Sequence, residues 1–494
     1  MKTARIAKTV SIFLLGILFF AYATGAFAGG RPTAKHIILL IGDGMNIEHE
    51  IAASRYLYGE ELALSFHKLP YQADVATWDV STYKHWSGGS YDPKAIDPKL
   101  GYDPDKGGKK PFPLGPELPG AQAYLTAKAT DSASAATAWA TGYKTDDGNI
   151  AWLPGDPEGG ALKTIAEWLR EKRGFAIGVV STVPFTHATP AAHVSHNKSR
   201  NNYHAIGEEI LGSVKPEVVI GAGYPANSSC SNPVTSTFIA ASTYAGVCAD
   251  EAYRVVTRQG GADGGTALLQ AAQEAAAQGL KLFGLFGGIA GHFESLKPYD
   301  FPGTPAVKPF TMENPTLAEA SLAALKVLSQ DPDGFFVAIE QGDIDWANHG
   351  NDFQRMVGTT KDLHDAVLAI IDFVNQPDDE IEWDNTLLIV TSDHSNSYMR
   401  NQKVLGAGDL PQQIASSPPR YPEGEVTYGS TNHTNELVRL YAMGAGIQKF
   451  SRYEGKWYPG TRILDNTQLF HMMMEAAGEP MPSPLKLKQG RRMN

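Results

Sequence analysis

The segment Asp345-Trp346-Ala347-Asn348-His349 sets a carboxylate and an imidazole four residues apart. On a helix that spacing puts both on one face, where they can grip a single ion. Alone it is an ordinary surface pair, and a third ligand is needed to close a metal site. His433, in the polar stretch Ser430-Thr431-Asn432-His433-Thr434, can supply it, and Glu340 lies just upstream of the pair. Further candidates follow apolar runs: Asp43 after the first, Asp393 and His394 after a later one. Asp, Glu and His without a ligating Cys suit zinc, and an oxygen-rich subsite suits magnesium. Two zinc ions about 4 Å apart can clamp the attacking and leaving oxygens of an in-line phosphoryl displacement.

A nucleophile for that chemistry stands in Thr130-Asp131-Ser132, at the head of an Ala-rich run ending in Gly142. The Thr-Asp-Ser entry and the glycine stop predict a capped helix. Ser132 then falls in the first turn, where free N–H groups and the positive dipole end favour an anion such as phosphate. A metal-bound serine needs no Ser-His-Asp triad, and Ser132 has no Gly-x-Ser-x-Gly elbow around it. Downstream, Thr189 offers a hydroxyl to a hard cation and Arg200 a bidentate fork to phosphate oxygens. His49, His193, His196, His292 and His364 show no partner pattern and read as structural.

These residues must be held by a scaffold. Apolar runs at 36–42, 176–181, 218–221, 282–286, 335–339 and 386–391 read as buried strands. Helical patterns at 48–57, 161–172, 267–278, 316–328 and 353–374 lie between them. The alternation predicts an α/β fold with a doubly wound, mostly parallel central sheet and helices on both faces. Ligands on such sheets bind beyond the carboxyl ends of the strands, where Asp43, Glu340, Asp393 and His394 fall. Two loop-rich insertions interrupt the rhythm, at about 79–120 and 396–430. The first carries seven prolines and reads as a solvated surface segment with no EF-hand spacing.

Residues 1–28 read as a signal peptide: three basic residues, an apolar run from Ser11 to Ala21, and Ala26-Phe27-Ala28 as the cleavage site. The run is shorter than the ~20 residues a bilayer span needs. Cleavage after Ala28 gives a secreted or periplasmic chain with no stable membrane span, whose remainder, 29–494, reads as one domain. Removing three positive charges from a net of −11 leaves −14. That acidity excludes nucleic acid as a natural partner and requires metal or arginine to receive an anionic substrate. The two cysteines, Cys230 and Cys248, read as a structural disulfide contributing roughly 3 kcal/mol.

Taken together, the chain resembles the alkaline phosphatase family from about Lys35 to Gly446. Six stretches in family order carry the resemblance: Gly42-Asp43-Gly44-Met45, Thr130-Asp131-Ser132-Ala133, His187-Ala188-Thr189-Pro190 with Arg200, Glu340 to His349, Thr391-Ser392-Asp393-His394, and His433-Thr434. The resemblance implies hydrolysis of phosphate monoesters through a phosphoserine on Ser132, itself hydrolysed by a zinc-activated water. It implies one zinc on Asp345, His349 and His433, and a second on Asp43, Asp393 and His394 with Ser132. Magnesium would lie against Asp43, Thr189 and Glu340, and Arg200 would orient phosphate. Asp131 would position Ser132 and Arg200, with His187 and Trp346 beside magnesium and phosphate.

The chain also departs from the family. The interval holding 79–120 is longer than in better-known members, and Asn46 stands where many have Gly. His187 and Trp346 occupy positions that are Asp and Lys in the enterobacterial type, and His and an aromatic in other members. The 396–430 stretch is short for the crown of animal members, so a homodimer is compatible with the sequence but not specified by it. A phosphodiesterase on the same metals, or an exported phosphate- or metal-binding protein without turnover, are the competing readings. A formylglycine sulfatase is excluded, because neither Ser132 nor Cys230 stands in a Cys/Ser-x-Pro-x-Arg context.

Overall fold

Strand β1, His36–Gly42, is buried along its whole length, as its unbroken apolar run requires. Ile37, Leu39 and Ile41 enter the core on one face of the sheet, Ile38 and Leu40 the core on the other. A strand buried on both faces belongs in the middle of a sheet covered by helices on both sides. The computed structural model of the chain describes residues 33–108, 118–288, 290–294, 296–298, 307–377 and 380–488. The expected signal peptide, 1–28, lies outside them.

The other sheet strands are β2 Tyr71–Ala76, β3 Ala176–Pro184, β4 Val218–Ala222, β5 Tyr253–Thr257 and β6 Lys281–Leu285. They are completed by β7 Phe335–Gln341, β8 Thr386–Thr391, β9 Val438–Gly444 and β10 Leu464–Asp465. The spatial order is β10-β2-β9-β8-β1-β7-β3-β4-β6-β5. Only β9 runs antiparallel to its neighbours, β8 and β2. The doubly wound, mostly parallel α/β architecture expected from the sequence is therefore the one found. The sequence reading missed β2, β5, β9 and β10. Tyr71–Ala76 alternates buried and half-buried positions, and β5 is mostly half-buried, so neither presents the continuous apolar run that marked the central strands.

The principal helices are α1 Ile47–Tyr58, α2 Val80–Ser87, α3 Ser132–Thr141, α4 Ile165–Arg173, α5 Ala188–Val194, α6 Gly264–Gln278, α7 Leu317–Leu328, α8 Asp343–His349, α9 Phe353–Val374 and α10 Thr467–Ala476. Helix α3 is buried at every position and packs against α5 and α10. Its alanines allow that close approach, with Ala133, Ala136, Trp139 and Ala140 entering the core. Helices α7 and α9 pack against each other on the opposite face.

The 79–120 expectation needs correction. Its described part is not a solvated loop: α2 and the turns after it pack an aromatic core of their own. Trp78, Tyr83, Ile96, Tyr102, Tyr124 and Leu125 are buried there with Trp457 and Tyr458. The prolines break secondary structure, but the aromatic residues between them bury enough apolar surface to order the segment. The 396–430 stretch keeps its irregular middle but is pinned at its ends, where Met399–Asn401 pairs with Val426–Tyr428. Cys230 and Cys248 form the expected disulfide. No described helix is long and apolar enough to cross a membrane.

Candidate active site

Four adjacent strands, β8, β1, β7 and β3, deliver the predicted residues at their carboxyl ends. Asp43 follows β1, Glu340 is the penultimate residue of β7, Asp393 and His394 follow β8, and β3 leads into α5 with Thr189. Helix α8, directly after β7, carries Asp345 and His349. Gly44 makes the close fit there. Its φ is +67°, and a Cβ on it would lie 2.7 Å from Asp345 Oδ1.

Two clusters of ligating atoms result, each within 4.8 Å: Asp345, His349 and His433, and Asp43, Asp393 and His394. In the first, Asp345 Oδ2 lies 3.2 Å from His349 Nε2, and Oδ1 lies 3.4 Å from His433 Nε2. The two Nε2 atoms are 3.1 Å apart. His349 Nδ1 donates to the Thr431 carbonyl at 2.7 Å and His433 Nδ1 to the Thr130 carbonyl at 2.9 Å. A carbonyl only accepts, so each Nδ1 carries a proton and each ring turns its Nε2 inward toward Asp345. Burial opposes ionisation of Asp345, yet the charge of His433 and the bonds from both rings hold its carboxyl well below the usual range.

In the second cluster His394 Nε2 lies 3.2 Å from Asp393 Oδ2, 3.5 Å from Asp43 Oδ1 and 3.2 Å from Ser132 Oγ. Burial pushes His394 down to about 4. Burial, then the carboxylates of Asp393, Asp345 and Glu340, hold Asp43 well above the usual carboxylate range. The His394 and His433 rings stack with centroids 3.6 Å apart, joining the two clusters. Asp43 Oδ1, Asp393 Oδ2, Glu340 Oε1 and Thr189 Oγ1 are buried with no hydrogen-bond partner. Buried orphaned acceptors are rare, and positive charge is what this donor set lacks. The nitrogen and oxygen clusters fit zinc; the all-oxygen set of Asp43, Glu340 and Thr189 fits magnesium. Burial raises Glu340 to about 7, against the hydrogen bond it accepts from Ser181.

Asp131 caps α3, accepting from Ser134 N at 3.0 Å, so Ser132 is the first helical residue. The other Asp131 oxygen takes a hydrogen bond from Arg200 Nη1 at 2.9 Å. Burial opposes that charge, but Arg200 and the Ser134 bonds hold Asp131 far below its usual range. Arg200 N donates to the Gly148 carbonyl at 2.7 Å. His187 and Trp346 lie edge to face at 6.0 Å, and burial pushes His187 down to about 3. His193 accepts from Trp139 inside the core, and His49, His196 and His364 likewise stand outside both clusters. His292, also read as structural, pairs with Asp343 at 2.6 Å and packs on Trp346.

Sequence reasoning missed the residues that hold the candidate ligands. Asn396 Nδ2 donates to Asp345 Oδ1 at 2.6 Å. Ser392 Oγ accepts from Met45 N and donates to the His394 carbonyl. Asn46 caps α1, and its place just before a helical run was the one signal available for it.

A serine at a helix N-terminus, among carboxylates and imidazoles on the carboxyl edge of a parallel sheet, defines a metallohydrolase-like site. The alkaline phosphatase family model matches residues 120–219 and 263–416, half of the chain, so the chain belongs to the alkaline phosphatase family. It is 28% identical over 372 residues to alkaline phosphatase 3 of Bacillus subtilis strain 168, a match taking in 74% of this chain and 62% of that relative. To the alkaline phosphatase of Escherichia coli strain K12 it is 29% identical over 481 residues, covering 90% and 86%. The fold is shared with the crystal structure of Thermus thermophilus alkaline phosphatase, with a TM-score of 0.61 at 20% identity over 96% of this chain and 98% of that one.

Proposed function

We propose that this chain is an exported alkaline phosphatase that hydrolyses phosphate monoesters through a phosphoserine on Ser132. One observation carries the reading: Ser132 Oγ opens α3 within 3.2 Å of His394 Nε2, while the neighbouring Asp131 holds Arg200. Asp345, His349 and His433 would hold one zinc, Asp43, Asp393 and His394 the other, and Asp43, Thr189 and Glu340 a magnesium. When bound, these ions supply the positive charge that an alkoxide nucleophile and an alkoxide leaving group both require.

The chain's own groups divide the remaining work. Arg200 presents its guanidinium to non-bridging phosphate oxygens, and Asp131 fixes it beside the α3 N-terminus, whose free N–H groups favour the same dianion. Ser132 releases its proton to solvent as its Oγ bonds to phosphorus, while the bond to the alcohol oxygen breaks opposite and that oxygen takes up a proton from solvent. Water then attacks the phosphoserine, the Oγ–P bond breaks, one proton of that water ends on Ser132 Oγ, and the other leaves with inorganic phosphate. His187 and Trp346 border the metal and phosphate positions. Export rests on residues 1–28 and agrees with a disulfide-bearing chain, and the remainder acts as one domain.

Ser132→Ala tests the reading. Turnover of a nitrophenyl monoester is expected to fall by at least about a thousandfold with metal content retained. Near-normal turnover contradicts it, and preference for a diester over the monoester favours the competing phosphodiesterase.

A further inference from the structure

Three of the segments that carry candidate ligands converge on one side chain, Glu436. Its Oε2 accepts from Thr434 Oγ1 at 2.6 Å, from Ser395 Oγ at 2.9 Å and, more weakly, from Asn46 Nδ2 at 3.5 Å. Thr434 follows His433, Ser395 follows His394, and Asn46 lies three residues beyond Asp43. The groups also join each other, since Asn46 Nδ2 donates to Ser395 Oγ at 2.7 Å. The two-residue strands Ser395–Asn396 and His433–Thr434 pair antiparallel, with Ser395 opposite Thr434 and Asn396 opposite His433. The other carboxylate oxygen pairs with Arg400 at 2.8 Å, and that guanidinium covers the Tyr398 ring at 3.6 Å. With 11% of its side chain exposed, Glu436 is held from both sides.

We propose that Glu436 is a positioning residue for metal binding: it sets His394, of one cluster, against His433, of the other. Neither histidine touches Glu436 itself; the carboxylate acts through the Ser395 and Thr434 hydroxyls. Charge-assisted bonds are the stronger kind and hold their partners in one geometry, and removing a group that orients metal ligands typically costs about 10- to 100-fold in metal affinity. The proposal rests on the metal reading above.

Zinc affinity by equilibrium dialysis, with the visible spectrum of the cobalt-loaded protein, tests it on wild type, Glu436→Ala, Glu436→Gln and Thr434→Val. Loss of zinc affinity by about 10- to 100-fold is expected for Glu436→Ala, with shifted cobalt bands. Glu436→Gln keeps an oxygen acceptor for the hydroxyls and is expected to recover part of that loss. Thr434→Val, which deletes one hydroxyl at nearly constant shape, is expected to weaken zinc several-fold and decides the matter if Glu436→Ala does not fold. Wild-type affinity and an unchanged cobalt spectrum in Thr434→Val and in folded Glu436→Ala overturn the proposal alone. A wild-type chain that binds no zinc overturns the metal reading beneath it as well.

Discussion

His349 and His433 face one another through Nε2 atoms 3.1 Å apart, each with its Nδ1 hydrogen bonded to a main-chain carbonyl. Against burial, Asp345 raises both rings, His349 to about 9, so the cluster already draws positive charge, and a metal ion would take the place of those protons. Chelation should therefore cost stability as well as activity. A site that binds only the folded chain adds about 3 kcal/mol when the ion exceeds its Kd a hundredfold. The melting temperature should fall on chelation and recover with zinc and magnesium together. An unchanged melting temperature speaks against metal at these clusters.

Arg200 is held by Asp131, and in the proposed site its bond to phosphate would be a charged hydrogen bond worth roughly 1.5–3 kcal/mol. Arg200→Ala should raise the inhibition constant of inorganic phosphate about 10- to 100-fold, while zinc stoichiometry stays the same. Inhibition assays showing an unchanged constant would remove Arg200 from the phosphate site.

Away from the site, His196 lies 2.8 Å from Glu209 and 3.3 Å from Glu167. Burial alone would lower its pKa, but the hydrogen bonds it donates to these carboxylates push it up to about 9. A folded pKa above the unfolded value near 6.5 means a contribution fully present below pH 6.5 and lost as pH rises through 9. Urea midpoints from pH 6 to 10 should show wild type losing about 1–3 kcal/mol more than His196→Gln. Parallel curves for the two proteins contradict the assignment.

The aromatic core of the first insertion leaves no room at Gly101, where a Cβ would sit 2.0 Å from Trp78 Cδ2. Trp78 is fully buried and donates to Tyr458 at 2.8 Å, so it cannot swing away cheaply. Gly101→Ala should destabilise the chain by about 1–3 kcal/mol, the usual cost of overpacking, and speed proteolysis within 79–120. Wild-type stability in that variant would mean the segment is not packed as described.

The sequence showed the site more fully than the scaffold behind it. Asp345 and His349 were legible because helical spacing forces them onto one face, and Asp43, Asp393 and His394 because each closes an apolar strand. His433 lies in a polar loop with no periodicity, and only its company marked it. Glu436 and Asn396 were invisible: the contacts of Glu436 with Ser395 and of Asn396 with Asp345 join residues 41 and 51 positions apart, and no local pattern records such a contact. The same limit applies to 79–120, where counting prolines concealed aromatic residues that meet Trp457 and Tyr458 only after folding. Strand β9 went unread because Val438–Gly444 is only partly buried and so lacks an unbroken apolar run.

The most direct test of the account is to trap the covalent intermediate. Wild-type protein quenched in acid during turnover of a monoester, then digested and read by mass spectrometry, should carry one phosphoryl group on Ser132, absent from Ser132→Ala. A phosphoryl group on another residue, or full turnover in Ser132→Ala, would contradict the central claim.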